Sequence, residues 1–239
     1  LVMTEFSLSN FEISKIFFIL IFILLRSFFK NEIDPFIPSD EIIIVPFKKG
    51  RIKLKKEVVP IGKKLKHRVK NNHLSPNQWN KFILRKDSFI VDTRKEFEFK
   101  IGTFKNSINP QINNFRDFSK YFRKYKKNSK IGMFCTGGIR CEKASDYLKS
   151  KGYTNIFQLK GGIINYLSKI DKKKSLWKGE CFVFYNRVSV NHNLKSGKYS
   201  ICAGCREPIS FKDKNSSKFE EGVSCPSCYN KSTESQKSR

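Results

Sequence analysis

This sequence predicts an α/β domain built on a doubly wound parallel sheet, and three observations carry that prediction. Short apolar, β-branched runs alternate with helical stretches through the middle of the chain. Each run gives way to polar or glycine-rich residues at its C-terminal end. One of these junctions holds a cysteine-headed glycine loop. The first run, Ser88 to Val91, reads as a buried parallel strand that delivers Asp92 at its edge, where ligands bind in open α/β sheets. The second run, Ile131 to Phe134, leads into Cys135, and a third lies near Leu159. Helical patterns separate them around Phe115 to Lys126, Glu142 to Lys151 and Ile163 to Lys169.

The loop is Cys135-Thr136-Gly137-Gly138-Ile139-Arg140, and helical spacing resumes at Cys141. A strand, tight turn and helix start gather backbone N–H groups and the positive end of a helix dipole around one sulfur, which favours the thiolate. The glycines let the backbone curl closely, and Arg140 adds a fixed positive charge. Cysteine phosphatases place five residues between cysteine and arginine, enough to ring a phosphate. Here there are four, and the smaller ring suits a sulfur atom carried on the cysteine, a persulfide. The plainer alternative, a small buried hydrophobe beside a glycine turn, leaves Gly-Gly and Arg140 unexplained. Asp92 and Arg94 read either as a solvated pair at a strand end or as a brace for the loop; their position at the strand edge shared with Cys135 favours the brace.

A second constellation lies near the C-terminus. Cys202-Ala-Gly-Cys205 and Cys225-Pro-Ser-Cys228 are separated by nineteen residues, a spacing that predicts a structural zinc held by four thiolates with no open position. Two disulfides are the alternative and need an oxidising compartment, whereas a reactive Cys135 belongs in a reducing one.

Longer stretches resemble a known family. Phe89-Ile-Val-Asp92-Thr93-Arg94, Gly102-Thr103-Phe104, Ser107-Ile108-Asn109-Pro110 and Leu159-Lys160-Gly161-Gly162-Ile163 resemble the signatures of a rhodanese domain. Met133 to Ser145 and Trp177 to Phe184 resemble, more narrowly, the bacterial tRNA wobble-uridine (position 34) hydroxylases, and the likeness runs from about Val45 to Cys228. The resemblance implies a rhodanese-like domain over 63–174 and a C-terminal extension carrying the four-cysteine site over 175–239. Ahead of them it implies a truncated or divergent ferredoxin-like α+β region over 1–62. It also implies oxygen-dependent 5-hydroxylation of the wobble uridine, with molecular oxygen as co-substrate, tRNA as partner and Cys135 as the catalytic thiolate. The residues show no flavin, haem or iron site that would explain oxygen activation. A sulfurtransferase carrying a persulfide on Cys135, supplied by a sulfur donor, is the chemically simpler alternative. A non-catalytic RNA-binding remnant is the other.

Composition agrees with a polyanion partner. The 239 residues carry a formal charge of +27, with a pI near 9.9. Alanine occurs only at Ala144 and Ala203 amid abundant Lys, Asn, Ile and Phe, so part of the basicity reflects coding bias. Arg51, Lys53 and Lys55 alternate with Ile52 and Leu54, so a strand there presents a basic face suited to a phosphate backbone, or a lysine-protected sheet edge. The apolar stretch Ile16 to Leu25 is ten residues long, short of the ~20 that span a bilayer. A cytoplasmic protein is therefore expected, with membrane anchorage the minority reading. Cys141 reads as a resolving thiol or as packing, Cys181 as core, and His67, His73 and His192 as scattered surface residues. There is no phosphate-binding Gly-x-x-x-x-Gly-Lys, dinucleotide fingerprint or metalloprotease helix.

Overall fold

The computed structural model describes residues 72–112, 117–184 and 187–231, together with Val59 and Thr233. The predicted N-terminal region, its apolar stretch and the basic positions Arg51, Lys53 and Lys55 lie outside the described residues.

Five parallel strands form the central sheet: β1 (Asn72–Leu74), β2 (Ser88–Asp92), β4 (Ser107–Ile108), β5 (Lys130–Phe134) and β6 (Ile156–Leu159), in the spatial order β1-β6-β5-β2-β4. The short β3 (Gly102–Phe104) stands outside this sheet. β2 and β5 pair along their full lengths, Ser88 opposite Lys130 and Asp92 opposite Phe134, so their C-terminal ends finish side by side.

Helices cover both faces. On one, α1 (Pro76–Ile83) and α5 (Gly162–Lys169) set Trp79, Phe82, Ile83, Ile163, Tyr166 and Leu167 against Ile90, Phe134 and Leu159. On the other, α3 (Phe118–Tyr121) and α4 (Ile139–Ser150) pack Phe118, Ala144, Tyr147 and Leu148 on Val91, Ile131, Met133 and Ile156. Neighbouring strand residues Ile90 and Val91 enter opposite cores, as the two-residue side-chain period of a strand buried on both faces requires. The doubly wound α/β prediction thus holds.

Element ends differ from the sequence reading for local reasons. A capping box starts α1: the Gln78 N–H donates to Ser75 Oγ, Gln78 Oε1 accepts from the Ser75 N–H, and Pro76 takes the first turn. Helix α4 begins at Ile139, three residues before the expected Glu142, because Gly138 at φ +96° turns the chain into it. The stretch expected as one helix to Lys126 is the single turn of α3 followed by a 3-10 turn, Phe122–Lys124, and ends where Tyr125 adopts an extended conformation.

Beyond the sheet, β7 (Trp177–Gly179) pairs antiparallel with β3, Trp177 opposite Phe104, and so fastens the C-terminal extension to the domain. The Phe104 ring meets Phe134, Tyr166 and Trp177 edge-on at 4.7–5.0 Å between centroids. Strands β8 (Cys181–Phe182) and β9 (Ser189–Val190) form one hairpin, and β10 (Ser200–Ile201) and β11 (Pro208–Ile209) another, followed by the one-turn α6 (Phe211–Lys214). No helix among the described residues is long and apolar enough to cross a membrane.

Candidate active site and four-cysteine cluster

Cys135 is the first residue beyond β5, at the C-terminal edge of the sheet, and it is buried. Its Sγ accepts a hydrogen bond from the Gly138 N–H at 3.1 Å. The neighbouring Cys141 thiol is the strongest influence in favour of the anion, against the opposing effect of burial. The Arg140 charge and the N–H groups of Cys141 and Arg140 complete the set, and together they bring the Cys135 thiol down from 9.0 to about 6. At neutral pH the loop therefore holds a thiolate. A Cβ added at Gly137 or Gly138 would meet nothing within 4 Å, so the outer side of the loop is open.

The inner side is closed. The N–H groups of Ile163 and Ile164 donate to the Cys135 and Thr136 carbonyls at 3.0 and 3.2 Å. A Cβ on Gly162 would stand 2.5 Å from the Thr136 carbonyl oxygen, and its φ of +66° also favours glycine. The Gly161-Gly162 turn at the start of α5 thus anchors the loop from beneath. Thr93 joins the two strand ends: its N–H and hydroxyl both donate to the Phe134 carbonyl, and its Oγ1 lies 3.5 Å from Cys141 Sγ.

Arg140 forks onto Glu98 of α2 (Glu96–Ile101), with Nη1 to Oε2 at 2.8 Å and Nη2 to Oε1 at 3.0 Å, and Nη2 also reaches Thr136 Oγ1 at 3.3 Å. The Glu98 side chain has no solvent exposure. Burial alone pushes its carboxyl up, but the fork outweighs that and holds it below the usual range. The Lys95 N–H adds a third hydrogen bond at 3.0 Å. The guanidinium is thereby fixed beside the loop as a positive charge held by Glu98 and Thr136.

Asp92 and Arg94 form a buried pair, with Nη2 to Oδ2 at 2.6 Å and no exposure on either side chain, which excludes a solvated pair. Arg94 also donates to the Gly102 carbonyl at 2.6 Å and lies over the Trp177 ring at 5.2 Å, while Thr103 Oγ1 donates to Asp92 Oδ2. Their direct hydrogen bonds therefore brace β3, and through β7 the C-terminal extension.

The other four cysteines come together in the tail. Cys202, Cys205, Cys225 and Cys228 place their sulfurs within 4.8 Å of one another. The separations are 3.7 Å for Cys202–Cys228 and Cys205–Cys225, and 3.8 Å for Cys225–Cys228. A tetrahedral zinc with bonds of ~2.3 Å has sulfur–sulfur edges of ~3.8 Å, whereas a disulfide is ~2.05 Å long. The cluster therefore fits one metal ion. Among the described residues the core around it holds only Ile209 and the half-buried Phe219, too little apolar surface to order the segment unaided.

Comparison with known proteins matches this architecture. The sequence profile of the rhodanese-like domain matches residues 75–169. This chain carries a rhodanese-like domain. Over 195 residues it is 58% identical to the tRNA uridine(34) hydroxylase of Pelagibacter ubique (strain HTCC1062), a match that takes in 81% of this chain and 65% of the relative. The chain thus spans just under two-thirds of the relative's length and is related to it by sequence. Among solved structures, a rhodanese-related protein from Thermoplasma volcanium is 24% identical, with a TM-score of 0.35 over 40% of this chain and 90% of the other. The single-domain sulfurtransferase RDL2 of Saccharomyces cerevisiae is 19% identical, with a TM-score of 0.36 over 41% and 90%.

Within the rhodanese-like domain, the structure brings Cys135, Thr136, Gly137, Gly138, Ile139 and Arg140 to one sheet edge, with Asp92 and Arg94 at the end of the neighbouring strand. Ile139 projects outward, 60% exposed. Sequence reasoning missed Glu98 and Gly162. Glu98 had a signal in Asp92-Thr-Arg-Lys-Glu-Phe-Glu98, where a second glutamate follows a strand end and precedes a phenylalanine. Gly162 had one in the Gly-Gly pair after Leu159. Of the histidines described, His73 pairs with Glu142 at 2.6 Å on the surface.

Proposed function

We propose that the chain is a tRNA-modifying enzyme that installs 5-hydroxyuridine at the wobble position, using molecular oxygen and the Cys135 thiolate. One observation carries this reading: the extended identity to a protein named for that activity. Any 195-residue span of this chain includes residues 45–195, and with them the whole of the Cys135 loop. In this reading Cys135 is the catalytic thiolate, the Arg140 charge and the N–H groups of Gly138, Arg140 and Cys141 stabilise it, and Asp92 and Arg94 support the strand edge. Zinc is the metal for Cys202, Cys205, Cys225 and Cys228, chosen for the all-thiolate donor set and tetrahedral spacing. It holds the tail together and takes no part in the reaction. Arg51, Lys53 and Lys55 contact tRNA phosphates, and the protein works in the cytoplasm. The family match at 75–169 lies within the proposed domain limits of 63 and 174.

Nucleoside mass spectrometry tests the proposal on bulk tRNA from a host without its own hydroxylase, expressing this chain or its Cys135→Ala variant. Appearance of 5-hydroxyuridine-type nucleosides with the wild type alone supports it, and their absence with folded protein present overturns it. The geometry of the loop also favours a second reading, sulfur transfer, because the thiolate accepts from the Gly138 N–H at the head of a helix, beside the Arg140 charge. Transfer of sulfur from thiosulfate to cyanide, lost in Cys135→Ser, is its readout.

A further inference from the structure

A cleft of about 570 Å³ lies between α2 and the C-terminal extension, and neither reading gives it a role. Its floor is apolar. Phe97 and Ile101 of α2 line it together with Tyr199 of the extension, and all three pack in one cluster with Phe182 and Val188. The Phe97 and Phe182 rings meet edge-on there at 5.2 Å, and both Phe97 and Tyr199 stay half-buried. The rim is polar. Lys95, Glu96 and Lys100 stand on one side, and Glu207, Asp213 and Lys231 on the other. Glu96 is engaged with Lys100 at 2.8 Å, and Asp213 accepts from the Ser210 N–H at 2.7 Å and the Ser210 hydroxyl at 2.6 Å. Among the described residues this leaves a ligand two cations, Lys95 and Lys231, and one acceptor-only group, Glu207.

We propose that this cleft holds one unpaired nucleotide of the substrate tRNA, its base against the Phe97 and Tyr199 rings and its phosphate beside Lys95 and Lys231. This rests on the reading of the chain as a tRNA-modifying enzyme, and it deepens that reading by naming where the RNA is gripped.

The chemistry of the lining fits that occupant. The volume falls within the ~300–1,000 Å³ of small-ligand sites, which is room for a base with its ribose and phosphate. Unpaired RNA bases are held by stacking on aromatic side chains, while lysines along the edge meet the phosphates. Glu207 can only accept, so it meets the N–H donors of a base edge and repels a phosphate, which gives the nucleotide one orientation.

Position supports the same occupant. At ~3.6 residues per turn, Glu96, Phe97, Lys100 and Ile101 share one face of α2, and Glu98 leaves that face to fork onto Arg140. The cleft and the Cys135 loop therefore flank one helix, a body roughly 10–12 Å across with its side chains. A few nucleotides of an unpaired strand span that distance, so a near neighbour of the reacting uridine reaches the cleft.

The test uses the full chain with bulk tRNA from a host without its own hydroxylase. Ultraviolet irradiation of the complex, then nuclease and trypsin, is expected to leave a nucleotide on peptide 96–100, which carries Phe97, or on peptide 199–206, which carries Tyr199. Tyr199→Ala is expected to weaken tRNA binding roughly 5- to 150-fold, the range for loss of one stacked base, whereas Tyr199→Phe keeps the ring and the affinity. Lys231→Ala is expected to lower the salt dependence of binding by about one phosphate contact. Adducts confined to other peptides overturn the proposal, and that readout does not depend on any variant folding. Equal affinity of Tyr199→Ala and wild type overturns it too. A chain that binds no tRNA overturns it together with the tRNA-modifying reading, while adducts in the cleft without 5-hydroxyuridine uphold the RNA site and overturn the hydroxylation alone.

Discussion

The two cysteine groups of this protein use one side chain in opposite ways. In the rhodanese-like domain a single buried thiolate is held by N–H donors, a second thiol and an arginine that forks onto Glu98. In the tail, four sulfurs stand at the corners of a tetrahedron and face one another. The first group keeps one sulfur as a nucleophile, while the second spends all four donors on one central ion. Supply of positive charge separates them: in the loop it comes from the fold itself, so the thiolate exists before any ligand arrives, whereas in the tail it has to come with the metal.

That contrast can be broken in four places. The largest effect is expected from Cys135→Ser, which should lower 5-hydroxyuridine formation on the order of 10³-fold or more, as removal of a nucleophile does. Cys202→Ser should leave a measurable Cys135 alkylation rate. Equal loss in both variants would mean that the two groups work as one site, and nucleoside mass spectrometry beside alkylation kinetics reads the difference.

Metal removal comes next. Metal analysis should find one zinc per chain. A chelator should release it and expose the amides of residues 200–228 to hydrogen exchange, while those of β2 and β5 stay protected. Structural zinc in small modules contributes about 10–16 kcal/mol to folding, far more than the Ile209–Phe219 core could replace. Loss of protection in β2 and β5 as well would tie the two regions into one cooperative unit.

A smaller effect is expected from Glu98→Ala, which leaves Arg140 without its carboxylate. Removing one partner of a buried pair costs about 3–5 kcal/mol, readable from the denaturant midpoint. An unchanged midpoint would show that Arg140 finds solvent or another partner.

The smallest and sharpest concerns pH. The rate of Cys135 alkylation should rise through a midpoint near pH 6. Cys141→Ala, by removing the hydrogen bond that contributes most, should move that midpoint up toward the ~8.5 of an ordinary thiol. Because the folded pKa lies below the unfolded one, the stability this group contributes is complete above about pH 8.5 and is lost as pH falls through about 6. A midpoint near 8.5 in the wild type would mean that the loop does not hold a thiolate.

How much of this was legible depended on distance along the chain. The Cys135 loop could be read because everything that defines it falls within six residues: two glycines that permit the turn, an arginine, and a helix that starts where the turn ends. The C-x-x-C pairs were legible for the same reason, since each knuckle is local and only their meeting is long-range. Arg140 was legible as a charge within the loop, but its orientation was not, because the Glu98 that it forks onto lies 42 residues away on a different helix. Asp92 and Arg94 read from the sequence as a pair at a strand end, with a brace for the loop favoured over a solvated pair, but what they touch was not legible. Their burial follows from β7 and the Trp177 ring closing over them from beyond the domain.

Sequence alone determined the alternation of strands and helices, the thiolate loop and the four-sulfur ligand set, because side-chain period, glycine conformation and ligand spacing are properties of neighbouring residues. Tertiary structure decided which groups meet. It set Gly162 beneath the loop, Glu98 on Arg140, and Cys141 against Thr93. The physical reason is that hydrogen bonds act over about 3 Å, and only the folded sheet, by ending β2 and β5 side by side, brings residues from separate elements within that range.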